Sequence, residues 1–139
     1  MSKRVLVVED QEDNRQILRD LLASAGYEMI EVNDGEGAVI AARTQSPDLI
    51  LMDIQLPILD GYEATRRIKA QSDLCHIPII VVTSYALSGD EEKARAAGCD
   101  AYVAKPYSAR KLLETINRYL TQVPARVDVE QKCMTHPES

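Results

Sequence analysis

Four short, uninterrupted apolar runs punctuate the chain: Val5–Val8 (VLVV), Leu49–Met52 (LILM), Ile79–Val82 (IIVV) and the weaker Ala101–Ala104 (AYVA). None alternates with a period of two, so each predicts a strand covered on both faces, as in a parallel sheet. A fifth strand is expected over Glu28–Val32, where acids mixed among apolar residues suit a sheet edge. The stretches between these runs carry helical periodicity. Ile17, Leu18, Leu21 and Leu22 form one apolar stripe, and Gly26 follows as a stop. Leu112, Leu113, Ile116 and Leu120 give the last helix its buried face. Asp60 with Glu63, and Ser88 with Glu91, have the spacing of a capping box. The segment GDEEKARAAG offers only alanines to a core. So little apolar area contributes little burial free energy, and this fourth helix is expected to be the most easily displaced.

Five strand-then-helix units predict a doubly wound α/β fold. Right-handed crossovers place helices on both faces, and ligands in such sheets bind outside the carboxyl ends of the strands. The pattern stops near Thr121, so residues 1–121 read as one domain. Gln122–Ser139 is polar, contains two prolines and lacks helical periodicity. It reads as a flexible tail, with an extended arm through Val123, Val127 and Val129 as the alternative.

Composition removes several function classes. A net charge of -6 disfavours binding to a phosphate backbone, which needs clustered Lys and Arg. No apolar run approaches the roughly 18 residues needed to span a bilayer. The opening MSKRVLVVED has too short an apolar run for a signal peptide. A cytoplasmic protein without nucleic-acid or membrane partners is therefore expected. Cys75, Cys99 and Cys133 lack CxxC or metal spacing and read as reduced thiols, although Cys133, in the tail, could crosslink chains on oxidation. His76 and His136 are isolated and suggest neither a metal site nor a catalytic pair.

The chemistry lies where the apolar runs end. The first ends in Glu9 and Asp10, the third strand in Asp53, the fourth in Thr83 and Ser84, and the fifth is followed by Lys105 and Pro106. One such acid is commonly a strand meeting solvent. All of these residues fall at the same edge of one parallel sheet, its carboxyl edge. Three carboxylates packed there would repel, and either proton uptake or a cation must compensate. Oxygen-only ligands favour Mg²⁺ over zinc. A carboxylate nucleophile, a divalent cation, an ammonium group and a hydroxyl together suit the acceptance of a phosphoryl group.

VLVVEDQEDNR, LILMDIQLPILDGYEATRRI, IPIIVVTSYA and GCDAYVAKP, in this order, resemble the receiver domain of two-component signalling over about residues 3–121. Within that family, DIQLP, HIP, GDEE and AYVAKP are similar to single-domain cell-cycle receivers of the DivK type. The resemblance implies a flavodoxin-like five-stranded parallel sheet of order 2-1-3-4-5, an order known for chemotaxis receivers. It implies that Asp53 is the phosphoacceptor, supplied by a histidine kinase or histidine phosphotransfer protein. It further implies that Asp10 and Asp53 ligate Mg²⁺ directly, with Glu9 acting through water and the Gln55 carbonyl as a further ligand. Lys105 would hold a phosphoryl oxygen, and the Lys105–Pro106 bond would be cis. Thr83 would bond the phosphoryl group and draw in the loop before the fourth helix, and Tyr102 would turn inward. The output face would be the fourth helix, fifth strand and fifth helix. Gln55 and Tyr85 lie where an attacking water must pass, and a bulky Tyr85 is expected to slow self-dephosphorylation.

After the fifth helix 18 residues remain, too few for an effector domain. The expected output is therefore a protein contact or onward phosphotransfer, by a monomer or weak homodimer that catalyses only its own phosphorylation and dephosphorylation. A haloacid-dehalogenase-like phosphatase would need a second Asp two residues beyond the nucleophile, where this chain has Gln55. A flavodoxin-like redox protein would need a hydroxyl- and glycine-rich loop after the first strand, and EDQEDNR would repel its phosphate. A receiver that works without phosphorylation would not need the complete set of acids, Thr and Lys.

Overall fold

In the computed structural model, five strands alternate with five helices: β1 (Arg4–Val8), α1 (Glu12–Ser24), β2 (Glu28–Val32), α2 (Gly35–Gln45), β3 (Leu49–Asp53), α3 (Gly61–Lys69), β4 (Ile79–Thr83), α4 (Asp90–Ala97), β5 (Ala101–Ala104) and α5 (Ala109–Leu120). The structure describes residues 3–54, 56, 58–83, 90–104 and 108–121. Ser84, Tyr85, Ser88 with its proposed capping role, and the reading of 122–139 as a tail lie outside them. The strands form one parallel sheet in the order β2-β1-β3-β4-β5.

Strand side chains alternate between faces, and this divides the core in two. Leu6, Val8, Ile50, Met52, Ile79 and Val81 point to one face, where Ala38, Ala41, Ala42, Ala64, Ile68 and Ala94 from α2, α3 and α4 cover them. Val5, Val7, Leu49, Leu51, Ile80 and Val82 point to the other face, against Leu18 and Leu22 of α1 and Leu112, Ile116 and Leu120 of α5. Each large aliphatic side chain so buried contributes about 1.5–3 kcal/mol. All five residues of β3 and of β4 are buried, whereas Glu28 and Glu31 of β2 are exposed, as an edge strand allows.

Three local expectations need correction. The stripe of α1 is narrower than expected: Leu18 and Leu22 are buried, but Ile17 is 54% exposed, one residue and about 100° off the buried line. The capping box at α3 is half made. Asp60 accepts from the Glu63 amide, but the Glu63 carboxylate turns to Arg66 and Arg67. Its hydrogen bond from Arg67 holds Glu63 below the usual carboxylate range. Helix α1 ends as Gly26 suggests, with φ 85° and the Gly26 and Tyr27 amides donating back to Ala23 and Leu22. Cys99 is a free buried thiol, but Cys75 is disulfide-bonded, so it is not the reduced thiol expected.

At the amino edge of the sheet, Lys69 is only 2% exposed. Its ammonium donates to the carbonyls of Cys75 (3.0 Å) and Ile77 (2.8 Å) and to Asp100 Oδ2 (2.8 Å). That carboxylate oxygen also accepts from the Ile79 amide at 2.9 Å. Deleting one partner of such a buried pair strands a charge, at a cost on the order of 3–5 kcal/mol. The clamp fixes the entry to β4 and β5, so their opposite ends meet in a set register.

Candidate functional site

That register builds the site. Val8 pairs with Met52, so Glu9 and Asp53 leave β1 and β3 at the same level. Asp53 pairs with Val82, which places Thr83 one residue further along β4. Thr83 pairs with Ala104, the last residue of β5. At the carboxyl edge, oxygen atoms of Glu9, Asp10 and Asp53 lie within 4.8 Å of one another. Glu9 is 3% and Asp53 7% exposed, while Asp10 is exposed. Thr83 is buried beside them on the next strand. Gln55, Lys105 and Pro106 lie outside the described residues.

Three carboxylates this close, two of them away from water, repel strongly unless a cation offsets them. Every donor is a hard oxygen, which fits Mg²⁺ better than zinc or copper. The exposed Asp10 leaves one side of the cluster open to solvent and to an incoming group. Tyr102 is half-buried and packs on the same core cluster as its strand neighbour Val81, the face that also holds α3 and α4.

Two features of the site have little sequence signal. Gly61, the first residue of α3, lies against the backbone of Asp53: a Cβ there would come within 2.2 Å of the Asp53 carbonyl oxygen and 2.8 Å of Ile54 Cα. Its amide donates to the Ile54 carbonyl at 2.9 Å. Gly35, opening α2, is pressed as closely on the carbonyl of Leu59. The loop leaving Asp53 is thus held between two helix starts, and Ile58 within it takes a left-handed φ of 71° with 78% of its surface exposed. The second feature is Arg15, which donates to the Glu9 carbonyl at 2.7 Å and to Glu12 at 2.7 Å, and lies 3.5 Å from Glu31. Arg19 bonds both oxygens of Glu31 and so holds that carboxyl below its usual range, keeping it ionised. The string EDQEDNR contains Arg15, but only the fold brings Glu31 to it.

The response regulator receiver domain matches residues 5–117 of this chain. The polar-differentiation response regulator DivK of Brucella ovis is 49% identical over 120 residues, covering 86% of this chain and 98% of that protein. Among solved structures, the receiver domain of a Pseudomonas aeruginosa sensor histidine kinase, with a magnesium ion coordinated in its active site cleft, superposes with a TM-score of 0.81 at 42% identity. It covers 86% of this chain and 98% of its own. The chemotaxis response regulator CheY4 of Vibrio cholerae gives a TM-score of 0.80 at 29% identity, covering 86% of this chain and all of its own. No described helix is long and apolar enough to cross a membrane. With the sheet order, the convergent carboxylates and a match over most of its length in agreement, the chain belongs to the response regulator receiver domain family.

Proposed function

We propose that this chain works as a phosphorylation-switched response regulator. It accepts a phosphoryl group on Asp53 from a histidine kinase or histidine phosphotransfer protein and signals by changing its protein-binding surface. The convergence of Glu9, Asp10 and Asp53 within 4.8 Å at the carboxyl edge of the sheet carries this reading. Residues 1–121 form the receiver.

Asp53 is the nucleophile. One of its carboxylate oxygens forms a bond to phosphorus as the phosphorus–nitrogen bond of a donor phosphohistidine breaks. The fully buried strand behind Asp53 limits its freedom, so little entropy is lost in aligning it with the donor. Mg²⁺ held by Asp10, Asp53 and the Gln55 carbonyl, with Glu9 behind it, would neutralise charge on the phosphoryl oxygens. The Thr83 hydroxyl donates to a phosphoryl oxygen and the Lys105 ammonium pairs with another. The new charge pulls Thr83 and the segment before α4 towards Asp53, and Tyr102 turns inward. Helix α4 suits a movable element because its buried described side chains, Ala94 and Ala97, are small. The surface of α4, β5 and α5 then presents a changed face to a downstream protein.

The test is incubation with Mg²⁺ and acetyl phosphate, read by intact mass. A gain of one phosphoryl group is expected with Mg²⁺ and near-background labelling in EDTA. Equal labelling in EDTA would refute the metal dependence. No labelling in either condition, together with none from a phosphorylated histidine kinase, would refute the function.

A further inference from the structure

Asp10 is exposed, so little packing restrains its side chain and the backbone that carries it sets where that side chain starts. That backbone is pinned on both sides of Glu9. The Glu9 amide donates to the Val32 carbonyl at 3.1 Å, and the Glu9 carboxylate accepts from the Gln11 amide at 3.2 Å. The Glu9 carbonyl belongs to the peptide that leads into Asp10, and it accepts from Arg15 Nη1 at 2.7 Å. A charge-assisted bond of that length fixes the plane of the peptide. Arg15 is itself held, by Glu12 at 2.7 Å and by Glu31, whose position Arg19 sets with bonds of 2.8 and 2.7 Å. Its side chain is only 17% exposed, so solvent competes weakly for the guanidinium.

We infer that Arg15 is a positioning residue for the metal site: by gripping the Glu9 carbonyl it aims the Asp10 carboxylate at the point where Glu9 and Asp53 converge. This rests on the Mg²⁺ site proposed above. Arg15 touches neither metal nor phosphoryl group. It acts through one peptide plane, and its partner Glu31 ties that plane to the edge strand β2.

Removing outer partners of this kind costs about 10- to 100-fold in metal affinity. The experiment measures Mg²⁺ affinity of the full chain by calorimetry, alongside thermal unfolding in metal-free buffer. Arg15→Met keeps the aliphatic stem but loses every donor, and should weaken Mg²⁺ binding by about tenfold. Arg15→Lys, with an ammonium that can still reach a carbonyl, should recover part of that loss. Arg43→Met serves as the stability control, because it breaks the bond of Arg43 to Gln71 and touches none of the partners of Arg15. It should keep wild-type Mg²⁺ affinity whatever its effect on the melting temperature. If Arg15→Met binds Mg²⁺ like the wild type, or Arg43→Met loses as much affinity as Arg15→Met, the positioning role is overturned while the metal site stands. Wild-type protein that binds no Mg²⁺ would overturn the metal site and the role of Arg15 together.

Discussion

Asp53→Asn is expected to abolish phosphoryl incorporation from acetyl phosphate while leaving the fold intact. The amide has nearly the shape of the carboxylate, so the buried end of β3 loses no packing. Its oxygen and nitrogen cannot form a stable acyl phosphate. Removing one of three carboxylates that lie within 4.8 Å of one another also relieves repulsion. The melting temperature in metal-free buffer should therefore match or exceed that of the wild type, and Mg²⁺ affinity should fall. Intact mass and thermal unfolding measured on the same preparation check all three. An adduct at the wild-type level in this variant would remove Asp53 from its role.

The second large effect is expected at Gly61, which carries no ionisable group of its own. Its Cα leaves no room for a methyl group, since a Cβ would come within 2.2 Å of the Asp53 carbonyl oxygen and 2.9 Å of the Asp53 carbonyl carbon. Both contacts are backbone, so neither can rotate away. In Gly61→Ala either α3 slides outward or the peptide carrying Asp53 shifts. A displacement of about 1 Å at a reacting group costs on the order of 10²-fold in rate. Overpacking of this kind also costs about 1–3 kcal/mol. The initial rate of labelling and a urea unfolding curve should show both losses. A variant that labels at the wild-type rate would mean that the start of α3 does not position the acceptor.

These two residues mark how far the sequence could be read. Asp53 was legible because a continuous apolar run ends on a carboxylate, and a parallel sheet puts all such ends at one edge. The same logic found Glu9, Asp10 and Thr83, and the pairing of Val8 with Met52 and of Asp53 with Val82 bears out their shared level. The edge position of β2 was legible from its acids. Gly61 was not, because a glycine opening a helix carries no mark of what lies 2.2 Å away. Nor was Lys69: it is the last residue of α3, and its partners Cys75, Ile77 and Asp100 are set only by tertiary folding. Ile17 misled for the opposite reason. Its apolar side chain extends the stripe on paper, but only Leu18 and Leu22 are buried against the sheet, with Leu21 at the margin and Ile17 turned outward.

The proposed switch depends most on where the phosphoryl group sits, and one measurement locates it. Protein labelled with acetyl phosphate and Mg²⁺ is reduced with borohydride, which converts an aspartyl-phosphate to homoserine, and the peptides are then sequenced by mass spectrometry. Homoserine is expected at position 53 and at no other Asp. Homoserine at position 10, or labelled protein with an unreduced Asp53, would contradict it.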